Sequence, residues 1–234
     1  MTGEACLRVS ELFGPTLQGE GPSAGQLASF IRLSGCNLSC QRCDTPYTWD
    51  WRRYDRRTEQ HDMRPATVLA WALSQPARLI VVTGGEPLLQ ARQLAGVVPL
   101  LVEAGRRVEF ETNGTIAPLP ALAVKGVAFN VSPKLAAFGS GMAAGRRIRG
   151  GALRALAGSG NARFKFVAAG PADLEEIAAL QAAYGLDPVW VMPEGTSSTA
   201  VLGGMRLLAE EVIARGWNLS TRLHDLLWED ARGR

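Results

Sequence analysis

Short apolar runs alternate along the chain with stretches whose apolar residues recur at three- and four-residue steps, the pattern of a parallel sheet wrapped by helices. Strands are expected over Cys6–Leu12, Leu27–Leu33, Arg78–Val82, Arg107–Glu111, Gly126–Val131, Arg163–Val167 and Val189–Val191, with a shorter one near Leu219. Helices are expected over Ala66–Ser74, Leu88–Ala104, Leu174–Tyr184 and Thr199–Arg215, and Pro65, Pro87 and Pro171 stand where a helix can begin. The fold class is therefore α/β. Several expected strands run into polar segments, all but SPK containing glycine: SGC, TGGEP, ETNG, SPK and MPEG. In parallel α/β sheets and barrels the ligand site gathers at the carboxyl ends of the strands, so these five segments are expected to face one another.

Composition narrows the class. The 234 residues, 47% of them apolar, suffice for one domain with a full core. No apolar run approaches the roughly 20 residues that cross a bilayer, and the N-terminus lacks the pattern of a signal peptide, so a cytoplasmic protein without a membrane partner is expected. Basic and acidic residues, 25 against 22, are too balanced to call for a nucleic acid. The segment 136–160, rich in Gly, Ala and Arg, reads as an insertion or flap, or as a surface loop without function.

The chemistry concentrates in GCNLSCQRCDT, where Cys36, Cys40 and Cys43 stand in C-x3-C-x2-C spacing. Three thiolates within eight residues suit an iron-sulfur cluster with one iron left open, since such clusters otherwise take a thiolate on each of four irons. A structural zinc site would need a fourth ligand from the distant Cys6, His61 or His224, and a disulfide would strand one thiol. Spacing favours the cluster over zinc or unrelated thiols. Cys6 itself reads as a small buried apolar residue, and His61 as solvated. Trp49 and Trp51 would pack over the cluster loop or enter the core. Thr83-Gly84-Gly85-Glu86-Pro87 offers a ligand exposed backbone and the carboxylate of Glu86, although such a glycine pair is also an ordinary turn.

C-x3-C-x2-C followed by GGEP resembles the radical S-adenosylmethionine enzymes. That resemblance implies a 4Fe-4S cluster on Cys36, Cys40 and Cys43 whose fourth iron is chelated by S-adenosylmethionine. Arg42, Cys43, Asp44, Gly84, Gly85, Glu86, Ser132, Pro133, Lys134, Met192, Pro193, Glu194 and Gly195 would then be cofactor contacts. The order of LQGEG (Leu17 to Gly21), FIRLSGC (Phe30 to Cys36), CDTPYTW, ETNGT and SPK resembles, across nearly the whole chain, the family of 7-carboxy-7-deazaguanine synthases. The resemblance implies a reduced, distorted partial (β/α) barrel, a homodimer, and an electron donor such as flavodoxin or ferredoxin. It also implies a radical lyase reaction: 6-carboxy-5,6,7,8-tetrahydropterin contracted to 7-carboxy-7-deazaguanine with loss of ammonia, on the way to queuosine and other 7-deazapurines.

On this resemblance Leu17, Gln18, Gly19, Glu20, Arg32, Thr83, Glu111 and His224 bind the pterin, and Thr45 holds Mg2+. Arg32 suits the substrate carboxylate because a guanidinium presents a planar fork to two oxygens, and a plain salt bridge is its alternative. Gln18, Glu20 and Glu111 suit the amide and guanidine-like edge, where a carboxylate accepts two N–H donors. His224 would close over the substrate or serve structure alone. Two rivals stay open: an activase that makes a glycyl radical on a partner protein, against which LQGEG and Arg32 argue, and a non-catalytic iron-sulfur or zinc protein, which would leave GGEP, SPK and MPEG without purpose.

Overall fold

A computed structural model describes residues 6–139, 141–229 and 231–233. Nine strands form one sheet: β1 Leu7–Leu17, β2 Leu27–Leu33, β3 His61–Met63, β4 Leu79–Gly84, β5 Arg107–Thr112, β6 Val127–Val131, β7 Ala162–Ala168, β8 Val189–Pro193 and β9 Asn218–Leu219. Their order is β3-β1-β2-β4-β5-β6-β7-β8-β9. The pairs β1–β2 and β1–β3 are antiparallel, and every pair from β2–β4 to β8–β9 is parallel. Seven parallel strands flanked by an antiparallel edge form the open, partial barrel that the strand-helix alternation and the motif order anticipate.

The strands alternate in character, and this alternation builds the site. Ile80 and Val82, Val108 and Phe110, Val127, Phe129 and Val131, and Phe164 and Phe166 all join the main hydrophobic cluster on the helical side. Phe110 and Phe129, paired in register, stack with centroids 5.3 Å apart. Because successive strand residues point to opposite faces, their neighbours Thr83, Glu109, Glu111, Asn130 and Lys165 lie on the other face, inside the curved sheet. Fully burying each of those phenylalanines contributes about 1.5–3 kcal/mol, which holds the polar face in place.

Helices cover the outer side: α1 Pro65–Ser74, α2 Val98–Glu103, α3 Gly150–Gly158, α4 Ala172–Tyr184 and α5 Ser198–Ala214; α6 Leu223–Trp228 lies instead against Gly19, just after β1. The single helix expected over Leu88–Ala104 is broken into a 3-10 turn Pro87–Gln90, a short helix Ala91–Leu94 and α2. Gly96 weakens the interior of that stretch, and Pro99, which lacks an N–H, is tolerated only in the first turn of a restarted helix. The first strand runs five residues beyond its expected end, past register shifts between Val9 and Glu11 and between Phe13 and Thr16. His61 is exposed, as expected, but on an edge strand rather than a loop.

The segment read as an insertion or flap contains α3, whose Ala152, Leu153 and Leu156 are buried; Leu153 and Leu156 belong to the core. That part is the crossover helix between β6 and β7, obscured in the sequence by its glycines; Ser140, in the same segment, lies outside the described residues. Cys6 is exposed rather than buried, because it precedes the first strand pair instead of joining it. Among the described residues no helix is long and apolar enough to cross a membrane.

Candidate active site

A cavity of about 910 Å³ opens at the carboxyl ends of β2 and β4–β8 and collects four of the five strand-end segments, all but SGC, together with LQGEG and the C-terminal residues. Of the expected substrate residues, Leu17, Gln18, Gly19 and Glu20 line it, with Arg32, Thr83, Glu111 and His224. Arg42, Cys43, Asp44 and Thr45 form its cluster-loop wall. Gly84, Gly85, Ser132 and Lys134 follow, and Met192, Glu194 and Gly195 close the far side.

At the cluster end the three cysteines sit close enough that the charges of Cys40 and Cys43 act on Cys36. Burial pushes the Cys36 thiol up to about 12, opposed by the Leu38 amide that donates to its sulfur, and burial raises Cys40 as well. Such desolvated thiols become thiolates only against compensating positive charge, which a bound metal group supplies. The donor set fits the cluster: three soft sulfurs on one loop, with N–H donors from Leu38 to Cys36 at 3.4 Å and from the Trp49 indole to Cys43 at 3.3 Å. Among the described residues no three His, Cys, Asp or Glu side chains converge tightly enough for a single ion, so the structural-zinc alternative finds no ligand set. Trp49 packs on the cluster loop, whereas Trp51 lies away from it under Arg56.

GGEP abuts this loop through backbone. A Cβ at Gly85 would stand 2.2 Å from the Gly35 carbonyl oxygen and 2.9 Å from Cys36 Cβ; one at Gly84, where φ is +137°, would stand 2.0 Å from the Leu33 carbonyl oxygen. Glycine is required at both. Glu86 corrects the sequence reading: its carboxylate is wholly buried rather than offered to a ligand. It accepts from the Leu88 amide at 2.9 Å, the Thr112 hydroxyl at 2.8 Å and the Asn113 amide at 2.7 Å. Its role is to pin β5 to the GGEP turn; burial still raises its pKa despite those bonds. Pro133 and Pro193 are buried behind the cavity lining, and Pro193 packs where a Cβ at Gly204 would meet it at 2.6 Å.

The opposite end is ionic. Glu20 is paired with the Lys165 ammonium, stands 3.4 Å from Arg222 Nε and 3.8 Å from His224 Nε2. Burial alone would raise its pKa, but Lys165 and Arg222 outweigh burial and hold the carboxyl well below the usual carboxylate range. Burial likewise works against the Lys165 charge, and Glu20 and Glu111 overcome it, raising its pKa. Glu111 is fixed by the Gln18 amide at 3.1 Å and the Thr83 hydroxyl at 2.7 Å. Gln18, almost fully buried, also accepts from the Glu20 amide at 3.2 Å, so it orients both glutamates. A Cβ at Gly19 would lie 1.9 Å from His224 Nδ1, and the Gly19 carbonyl accepts from the Leu223 amide at 2.8 Å, so this glycine admits the C-terminal segment.

Arg32 reaches the cavity, but its Nε donates to Glu11 at 2.9 Å and its guanidinium lies 5.3 Å over the Phe13 ring. Glu11 also accepts from the Tyr47 hydroxyl at 3.0 Å and from Arg232, which stacks 3.9 Å over Tyr47 and pairs with Glu59. Burial, with Glu11, keeps Tyr47 a phenol by raising its pKa. Asn130, Lys165, Arg222, Asp225, Tyr47 and Arg232 line the cavity without having been anticipated from sequence.

A model of the radical SAM superfamily matches residues 30–134, from the strand that enters the cysteine loop to the SPK lysine. The chain is 33% identical to a 7-carboxy-7-deazaguanine synthase of Pyrobaculum aerophilum over 100% of both chains. To a namesake from Halobacterium salinarum it is 34% identical, over 96% of this chain and 91% of the other. The crystal structure of QueE from Escherichia coli superposes with a TM-score of 0.69 at 28% identity, covering 92% of this chain and 93% of that one. With identity above 30% running the length of the chain, it belongs to the 7-carboxy-7-deazaguanine synthase family of the radical SAM superfamily.

Proposed function

We propose that the chain contracts 6-carboxy-5,6,7,8-tetrahydropterin to 7-carboxy-7-deazaguanine with release of ammonia. The observation that carries this reading is one cavity joining the three-cysteine loop to two oriented carboxylates, Glu20 and Glu111. Membership of the superfamily brings a 4Fe-4S cluster and S-adenosylmethionine, which when bound supply the one-electron, hydrogen-abstracting chemistry.

The chain's own residues orient the reactant. Glu20, kept ionised by Lys165 and Arg222, accepts two N–H groups of the pterin's guanidine-like edge, and Glu111 takes the remaining amide-side donors. Arg32 meets the pterin carboxylate; its Nε is held by Glu11, and its remaining N–H groups form the fork that matches two oxygens. Thr45, 3.8 Å from the Cys43 sulfur, offers a hydroxyl to Mg2+, a hard cation that favours oxygen. The backbone of Gly84 and Gly85, with Ser132, Lys134, Met192, Glu194 and Gly195, forms the wall against which S-adenosylmethionine lies. Glu194 is itself held by Arg42 at 2.6 Å. A homodimer in the cytoplasm, reduced by a flavodoxin or ferredoxin, completes the reading.

The test is an anaerobic assay of iron-reconstituted protein with reductant, Mg2+, S-adenosylmethionine and the pterin, read by mass spectrometry. The expected result is cofactor-dependent appearance of the ammonia-loss product. 5'-Deoxyadenosine without that product would keep the radical chemistry and reject the pterin. Replacing Thr45 with Ala should leave the cluster absorbance intact and weaken the Mg2+ response; an unchanged response removes Thr45 from the metal site.

A further inference from the structure

Arg222 lies just ahead of α6 and is only 6% exposed, yet it touches four separate segments. Its Nε stands 3.4 Å from Glu20 Oε1 in LQGEG and 2.9 Å from Asp225 Oδ2 in α6. One Nη donates to the Gly195 carbonyl of MPEG at 2.9 Å, and the other to Asp44 of the cluster loop at 2.9 Å. A guanidinium can do this because its two Nη groups donate in fixed, diverging directions while its delocalised charge meets Glu20 and Asp225 at Nε as ion pairs; an ammonium on a flexible stem cannot hold the same set. Three of the contacts are anionic, so the buried charge is compensated, and removing it would leave Glu20, Asp44 and Asp225 to repel one another.

We propose that Arg222 is a positioning residue that couples the substrate-reading edge to the cofactor wall, joining Glu20 on one side to Gly195 and Asp44 on the other. This rests on the assignment of Glu20 to the pterin and of Gly195 to S-adenosylmethionine made above. A pterin seated on Glu20 fixes Arg222, and a fixed Arg222 holds the Gly195 carbonyl and Asp44 where the cofactor needs them. Linkage makes the effect reciprocal: each ligand then tightens the other by the same factor.

The experiment measures pterin affinity by anaerobic calorimetry on cluster-reconstituted protein, with and without S-adenosylmethionine, for wild type, Arg222→Lys and Arg222→Gln. The lysine variant keeps the charge if the glutamine variant does not fold. In wild type the cofactor should tighten pterin binding by about five-fold or more, and in Arg222→Lys that factor should fall to about one. A lowered melting temperature in Arg222→Lys with the wild-type coupling factor retained would show a merely structural arginine and overturn the proposal, as would the absence of coupling in wild type. Product is read from portions of the same wild-type protein to which reductant and Mg2+ are added after the titration; absence of product there overturns both this inference and the substrate assignment, whereas product with full coupling in Arg222→Lys overturns this inference alone.

Discussion

The two ends of the cavity are built by different physics. At the cluster end the contacts are backbone-close: three cysteines on one loop, two glycines with no room for a Cβ, and Glu86 buried beneath with its oxygens occupied by Leu88, Thr112 and Asn113. At the Glu20 end they are ionic and far apart in the chain, with Lys165 reaching Glu20 across 145 positions and Arg222 reaching the same carboxylate from just ahead of α6. A steric cradle tolerates little change in size, while an ionic hub tolerates little change in charge. The two ends should therefore fail by different routes, one through size and the other through charge.

The largest effect is expected from Cys40→Ala, which leaves the cluster two thiolates and should abolish iron content, absorbance and turnover together. Full activity in that variant would remove the cluster assignment. Next comes Lys165→Met, which leaves Glu20 buried without its nearest cation; chemical denaturation should register about 3–5 kcal/mol of lost stability. The pH dependence has a defined sign. Because the folded pKa of Glu20 is depressed, its contribution is present above the unfolded carboxylate value of about 4 and is lost as pH falls below it. The stability gap between wild type and Glu20→Gln should accordingly be widest near neutrality and narrow on acidification; a gap that grew on acidification would refute the pairing.

Gly85→Ala should act at the other end, costing about 1–3 kcal/mol through the clash with the Gly35 carbonyl and lowering cluster retention while pterin affinity measured without S-adenosylmethionine is kept. The smallest effect is expected from Arg232→Ala. Arg232 itself is half exposed where it meets Glu11, Glu59 and Tyr47, so solvent screens the pairs and the loss should be within about 1 kcal/mol, read from denaturation midpoints. A larger loss would mean that the C-terminal residues brace the cavity mouth more firmly than an exposed ion pair can.

The same contrast governs what the sequence disclosed. The cluster loop was legible because its ligands fall within eight residues and cysteine has few other uses at that spacing. Strands were legible as apolar runs, but their alternation carried more: in Arg163–Val167 the two phenylalanines flank Lys165, and in Arg107–Glu111 Val108 and Phe110 alternate with Glu109 and Glu111. A polar residue between two core positions of a parallel strand, whose faces are both covered, must point into a ligand space or a buried network. That signal would have found Lys165 and Asn130. Arg222 had no comparable signature, because its four partners meet only after the chain has closed. Glu86 was misjudged for the converse reason: the motif suggested a ligand, and the turn that follows it together with the end of β5 consumed the carboxylate instead.

The central claim is that the ionic hub serves the substrate and the cysteine cradle serves the cluster. Its most direct measurement is anaerobic calorimetric titration of the pterin into iron-reconstituted Lys165→Met, with the cluster absorbance recorded on the same sample. The account predicts wild-type absorbance with pterin affinity reduced at least tenfold, about 1.4 kcal/mol of binding free energy. Wild-type affinity, or loss of the cluster in that variant, would contradict it.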